Sequence, residues 1–160
     1  MTSQWQIAAS DRGVTDLRLS RKRGAARDQA GNALAERWRA AAAKELDAYL
    51  AGRLRSFTLR YDIGALPPFT QAVLKLTAKI PYGAVRSYAW VARKLGKPNA
   101  ARAVGNALAR NPVPIIIPCH RIVRADGTLG AFALGSGWKK RLLDLEKCFA
   151  KTKASSTTRA

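Results

Sequence analysis

Ser87-Tyr88-Ala89-Trp90-Val91-Ala92-Arg93-Lys94-Leu95-Gly96-Lys97-Pro98-Asn99-Ala100-Ala101-Arg102-Ala103-Val104-Gly105-Asn106-Ala107-Leu108-Ala109-Arg110 is the stretch on which the reading of this chain turns. Ser87 is placed to cap a short helix through Leu95, whose Trp90, Val91 and Leu95 share a side. Gly96-Lys97-Pro98 turns the chain, and Asn99 can cap a further helix from Ala100 to Arg110. Helix, Gly-containing turn and second helix make the helix-turn-helix pattern. Many all-helical cores produce it by chance, so the composition of its second helix matters more. Ala100, Ala101, Ala103, Gly105, Ala107 and Ala109 are small, which leaves Arg102 as the one long side chain near its start. Such a helix can approach a nucleic-acid backbone closely, although a helix packed tightly among neighbours is Ala-rich as well.

The run that follows is Asn111-Pro112-Val113-Pro114-Ile115-Ile116-Ile117-Pro118-Cys119-His120-Arg121-Ile122-Val123. Its prolines remove donors from any sheet ladder, so the isoleucines are expected to form a short buried segment that presents the next residues in a fixed pose. Those residues include the chain's only histidine and one of its two cysteines. A thiol beside an imidazole is the minimal kit for a sulfur nucleophile; a plain core thiol is the alternative. With His120 and Arg121 adjoining, the expectation is a thiol pKa below its ordinary ~8.5.

Working outward, Phe69, Val73, Leu76 and Ile80 are spaced for one helical face that Pro81-Tyr82-Gly83 ends. Further upstream, Gln6 to Ala9, a turn at Asp11-Arg12-Gly13 and Val14 to Leu19 read as a hairpin. Arg21 to Gln29 reads as a charged loop. Ala33 to Leu50 reads as a helix with Trp38, Ala42, Leu46 and Tyr49 in its apolar stripe and Gly52 at its C-terminal cap. Ser56 to Tyr61 alternates like a strand. The expected class is α+β: a small N-terminal α/β cap over 1–62, a mostly helical unit over 63–150, and a disordered tail over 151–160.

Composition sets the bounds. The 160 residues carry a formal net charge of +19. Lys and Arg outnumber Asp and Glu by 12 to 7 in residues 1–62 but by 17 to 3 in residues 63–160, and no acidic residue lies between Asp62 and Asp126. A solvated basic face is one reading; a polyanion partner explains the absence of carboxylates better, since phosphates reward such a surface through counterion release. No stretch reaches the ~20 apolar residues of a membrane helix, and the polar start is not a secretory signal, so an intracellular protein with reduced thiols is expected. One histidine and two distant cysteines do not offer the clustered ligands of a zinc site.

The segment Pro112 to Val123, preceded by Ala101-Arg102-Ala103-Val104-Gly105-Asn106-Ala107, closely resembles the O6-alkylguanine-DNA alkyltransferase family. The resemblance covers Phe69 to about Glu146; residues 1–62 match the family's variable N-terminal domain only loosely. It implies an RNase H-like N-terminal cap and a winged-helix-like C-terminal domain. It also implies repair of DNA by direct reversal, in which an alkyl group on guanine O6, chiefly methyl, and also on thymine O4, passes irreversibly to Cys119 from a nucleotide flipped out of double-stranded DNA. In that scheme His120 deprotonates Cys119 through a water, Glu146 orients the imidazole, and Tyr88 donates to guanine N3. The resemblance assigns Arg102 as the finger that fills the vacated stack. It places Ala101, Arg121, Asn111 and Ser87 at the DNA side, Asn111 being the hinge asparagine, and Val123, Phe132, Ala133 and Leu134 at the substrate pocket. No cofactor or metal is implied, and a cytoplasmic (in a eukaryote, nuclear) monomer is expected.

Two positions depart from the family's pattern. Phe132 stands where relatives often carry tyrosine, and Leu134 stands where glycine is common, which is expected to narrow the pocket against adducts larger than methyl. The rival readings are an alkyl-lesion-binding protein without transfer and a plain helix-turn-helix DNA-binding protein. Neither needs the Cys-His pair.

Overall fold

The computed structural model describes residues 5–20 and 32–155; the expected loop Arg21 to Gln29 and residues 156–160 lie outside the described residues. The hairpin forms from strands β1 (Trp5–Ser10) and β2 (Gly13–Leu19), which pair antiparallel with Ile7 opposite Leu17 and a register shift at Ala8/Ala9. Gly13 is required at the turn: its φ is +146°, and a Cβ there would stand 2.5 Å from the Arg60 carbonyl oxygen. Ile7, Ala9, Val14 and Leu17 are buried beneath helix α1 (Ala33–Leu50).

α1 starts at Asn32, whose side chain accepts from the Leu34 amide at 2.9 Å, a cap worth about 1 kcal/mol. Ala35, Ala42, Leu46 and Tyr49 form its buried stripe, and Trp38 is half-buried beside it. Gly52 follows the helix at φ +73°, and its missing Cβ makes room for the Phe149 ring, which would lie 2.3 Å away.

The strand expected over Ser56 to Tyr61 does not form. Only Tyr61 makes a bridge, parallel to Val14, with the Val14 amide donating to the Arg60 carbonyl and the Asp62 amide to the Val14 carbonyl, each at 2.9 Å. Glu45 explains why the rest stays out of the ladder. Its carboxylate accepts from the Thr58 amide at 2.8 Å and from the Thr58 hydroxyl, so this backbone donor is satisfied by a side chain of α1.

Helix α2 (Pro68–Thr77) begins with proline in its first turn and buries Thr70, Val73, Leu74 and Thr77. Its buried face is therefore rotated from the expected one: Phe69 and Leu76 are only half-buried, and Ile80 is buried in the turn beyond the helix. Helix α3 (Tyr88–Lys94) is capped as expected, Ser87 Oγ accepting from the Trp90 amide at 3.1 Å. Helix α4 (Ala101–Ala109) is capped by Ala100 without any side-chain hydrogen bond, so the role expected of Asn99 is not filled. Val104, Ala107 and Leu108 face inward against α2 and α3, and Arg102 and Asn106 face out.

A second sheet, not expected from the sequence, pairs β3 (Arg86–Ser87) parallel with β4 (Ile122–Val123). The final helix, α5 (Ser136–Ser155), continues five residues into the stretch expected as a tail. One core joins the two halves of the chain, with Leu17 and Tyr49 packed in the same cluster as Leu74, Val104, Ile117 and Leu142. Full burial of each such aliphatic side chain stabilises by about 1.5–3 kcal/mol. The architecture is α+β.

Candidate active site

The prolines and one asparagine shape the segment that carries the thiol. Asn111 is buried; its Nδ2 donates to the Ile117 carbonyl at 3.0 Å, and its Oδ1 accepts from the Val113 amide at 3.0 Å. Within that loop Ile115 adopts φ +75°, a left-handed conformation costly for a β-branched residue. The Leu17 amide donates to the Pro112 carbonyl at 2.8 Å, which ties the loop to β2. Backbone held this tightly delivers Cys119 on a single 3-10 turn, Cys119–Arg121, directly before β4.

Cys119 is buried and lines a cavity of about 630 Å³. Helix α4 forms one wall with Ala101, Arg102, Gly105 and Asn106; Tyr88 from α3 and Phe132 and Ala133 from the following loop form the other. Tyr88 is held close from both sides. A Cβ on Gly105 would stand 3.8 Å from its ring, and one on Gly130 would stand 2.6 Å from its hydroxyl.

Burial pushes the Cys119 thiol up to about 11, even though the Asn111 Nδ2 donates to Sγ at 3.2 Å and the Lys139 ammonium favours the thiolate. The expectation of a lowered thiol pKa is thus corrected. Sequence adjacency to Arg121 does not bring its charge to the sulfur, and desolvation outweighs what does reach it. Lys139 is itself fully buried on α5, and its Nζ donates to the Ile122 carbonyl at 2.6 Å and to the Ala131 carbonyl at 3.4 Å. Burial lowers it to about 8, partly offset by Cys119.

Behind the thiol stands a charged cluster. His120 Nε2 lies 2.8 Å from Glu146 Oε1. A carboxylate only accepts, so Nε2 carries the hydrogen and Nδ1 the lone pair. Nδ1 is buried and has no hydrogen-bond partner among the described residues. Burial lowers the His120 pKa, against the pull of Glu146. Glu146 also accepts from Arg121 Nε at 3.1 and 3.0 Å, from Arg121 Nη2 at 2.8 Å, from the Gly83 amide at 2.9 Å and from the Tyr49 hydroxyl at 2.5 Å. Burial alone raises this carboxyl, and the hydrogen bonds from His120 and Arg121 outweigh it and hold the group down to about 2.

The residues expected at the site are therefore sorted by the fold. Cys119, His120, Glu146 and Tyr88 come together around the thiol, and Arg102, Ala101, Phe132 and Ala133 line its cavity. Arg121 does not reach outward to a partner: it is buried, its Nη1 donates to the Ile80 carbonyl at 2.5 Å, and its charge neutralises Glu146. Asn111 is buried, with its amide turned onto the loop and the sulfur, and the half-buried Ser87 accepts from the Trp90 amide as a helix cap. Val123 and Leu134 do not line the cavity; Val123 is buried in β4, and Leu134 packs on the core. The pocket-narrowing expected of Leu134 loses its basis with that placement.

The sequence reading places Tyr49 only in an apolar helix stripe and does not single out Lys139. For Lys139 a signal existed: Lys139, Leu142, Leu143 and Glu146 follow the i, i+3, i+4, i+7 spacing of a buried stripe, and all four are buried. Charged residues at both ends of such a stripe mark a functional interior.

Residues 68–148 match the family model described as the DNA-binding domain of 6-O-methylguanine DNA methyltransferase. A methylated-DNA–protein-cysteine methyltransferase of Mycobacterium leprae is 46% identical over 108 residues, which is 68% of this chain and 65% of that protein's length. The match thus spans just under two thirds of that relative. A Mycobacterium tuberculosis OGT crystallised in complex with DNA superposes with a TM-score of 0.77 at 36% identity, covering 91% of this chain and 87% of that one. The O6-methylguanine-DNA methyltransferase of the archaeon Pyrococcus kodakaraensis gives 0.65 at 29% identity, over 88% and 89%. With a family model that takes in more than half of its length and the cysteine, histidine and glutamate of its buried cluster, this chain belongs to the 6-O-methylguanine DNA methyltransferase family.

Proposed function

We propose that this protein repairs alkylated DNA by direct reversal, taking the alkyl group of O6-alkylguanine, chiefly methyl, and also that of O4-methylthymine, onto Cys119. The carrying observation is the place of the thiol: it lines a cavity walled by the small-residue helix that bears Arg102, with a base and its carboxylate partner behind it. The Sγ–carbon bond forms as the carbon–O6 bond breaks, and the departing guanine takes the electron pair. His120 Nδ1 removes the thiol proton through a water, and Tyr88 supplies a proton to guanine N3. A thioether does not hydrolyse, so each molecule acts once.

A thiol held up at about 11 suits this scheme. It stays protonated and inert until substrate enters, which makes the base relay necessary.

A stacked guanine cannot reach a buried sulfur, so the nucleotide must leave the duplex, at a cost of a few kcal/mol. Arg102, exposed on α4, would fill the gap, and surrounding Lys and Arg side chains would hold phosphates without reading sequence. In this reading residues 63–150 form a winged-helix-like unit, supported by α3, α4 and the β3–β4 pair. Residues 1–62 form an RNase H-like supporting domain, for which the hairpin under α1 speaks. The protein acts as a monomer where DNA is found, in the cytoplasm or, in a eukaryote, the nucleus.

The test mixes the protein with a duplex carrying O6-methylguanine and weighs its peptides. A methyl group on the Cys119 peptide is the expected result. Restored guanine without that adduct would refute suicide transfer, and binding without either product would favour a lesion-binding protein.

A further inference from the structure

Helix α1 belongs to the half of the chain that carries no catalytic motif, yet one of its side chains enters the cluster behind the thiol. Tyr49 is fully buried, with its ring 5.2 Å from that of Phe57 and 5.9 Å from that of Tyr82. Its hydroxyl donates to Glu146 Oε1 at 2.5 Å and stands 3.3 Å from His120 Nε2. Oε1 is the same oxygen that faces His120 at 2.8 Å. The imidazole and the phenol therefore share one carboxylate oxygen. Packing alone does not ask for this: a phenylalanine would fill the same space between Phe57 and Tyr82, and a buried hydroxyl costs free energy unless it is hydrogen-bonded.

Two consequences follow from the shared oxygen. The phenol draws part of the Glu146 charge, so less of it remains to stabilise a protonated His120. The phenol oxygen also stands 3.3 Å from Nε2, which favours the tautomer with the hydrogen on Nε2 and a lone pair on Nδ1. Tyr49 itself stays protonated, its pKa being pushed far up first by burial and then by Glu146. The phenol is thus a fixed donor over the whole working range of pH.

We propose that Tyr49 is a positioning residue of the Cys119–His120–Glu146 relay, by which the N-terminal half of the chain sets the basicity of His120. This rests on the alkyl-transfer reading above. The charged and titratable groups around the pair are Glu146 and Lys139 from α5, Arg121 from the 3-10 turn, and Tyr82 with Arg55 over its ring. All of them remain in a Tyr49→Phe protein, which isolates the hydroxyl.

The sequence contains a single histidine, so a 15N-labelled untagged protein gives one unambiguous imidazole titration without DNA. In Tyr49→Phe the midpoint should move up, because Oε1 of Glu146 loses one competing donor while those of Arg121 and Gly83 to the carboxylate stay in place. The acid side of the methyl-transfer pH profile should move up with it, slowing transfer below the wild-type midpoint by roughly five- to tenfold, the scale of one hydrogen bond. A titration midpoint unchanged in a variant whose thermal unfolding shows it folded would overturn the proposal, as would a loss of rate equal at every pH. Should Tyr49→Phe unfold, Tyr49→Met and the wild type with 3-fluorotyrosine incorporated give the same comparison, the latter strengthening the donor and lowering the midpoint. Wild-type protein that shows the imidazole titration but puts no methyl on Cys119 would refute the transfer reading alone.

Discussion

The hydroxyl of Tyr88 stands 2.6 Å from the point where a Cβ on Gly130 would be, and Gly130 has φ +69°. Substituting Gly130→Ala therefore strains the backbone and pushes against the phenol that faces the cavity. The strain costs about 1 kcal/mol. The displaced phenol should cost more in reaction than in folding, so a modest drop in Tm accompanies a large fall in the single-turnover transfer rate. Gly105→Ala is the control, because its Cβ would meet the Tyr88 ring at an ordinary 3.8 Å. Equal rates for wild type and Gly130→Ala would show that the Tyr88 position does not matter.

Glu146 and Arg121 predict how the protein responds to acid. The folded carboxyl sits at about 2 against an ordinary 4.5, so the cluster's stabilisation is complete above pH 4.5 and is lost as pH falls from there toward 2. His120, depressed by burial, acts in the same direction because the unfolded chain takes up its proton first. Arg121→Ala removes the partner of a buried charge and should destabilise at neutral pH by about 3–5 kcal/mol. It should also move the acid loss of stability to higher pH. Urea unfolding at a series of pH values reads both effects.

Much of this was legible in the sequence because it is local. The Ser87 cap, the Gly-containing turn and the small-residue helix define α3 and α4 over a few residues each, and the Cys-His pair is adjacent in the chain. What was missed depends on distance in space. Thr58 reads as a strand residue until Glu45, thirteen positions away, takes its amide. Arg121 reads as a charge beside the thiol until the fold turns it onto Glu146, 25 positions on. Tyr49 reads as an apolar member of a helix stripe, since periodicity registers its ring and is blind to where its hydroxyl ends, 97 positions away at Glu146.

The thiol of Cys119 should be sluggish toward small alkylating reagents. With its pKa at about 11, iodoacetamide should modify it slowly at neutral pH and faster as pH rises, whereas the exposed Cys148 reacts first. Asn111→Ala deletes the donor to Sγ and Lys139→Met deletes the nearby ammonium. Each change should raise the thiol further and slow both iodoacetamide and methyl transfer. Peptide mass mapping over a pH series separates the two cysteines, and a Cys119 that reacts fully within the Cys148 half-time at pH 7 would contradict the assignment.

Arg102 separates getting the base from reacting with it. It is exposed at the cavity rim and among the described residues makes no hydrogen bond or ion pair that would hold the fold, so Arg102→Ala should leave stability within about 0.5 kcal/mol of wild type. If its side chain supports the flipped state, its loss forfeits about 1–3 kcal/mol of an opening that costs a few, and transfer from duplex O6-methylguanine slows roughly ten- to a hundredfold. A free O6-alkylguanine base needs no flipping and should react at the wild-type rate, because the thiol, His120 and Glu146 are untouched. Measuring both substrates with one variant therefore assigns the defect to the DNA step or to the chemistry. Equal slowing on both would place Arg102 in the pocket chemistry instead.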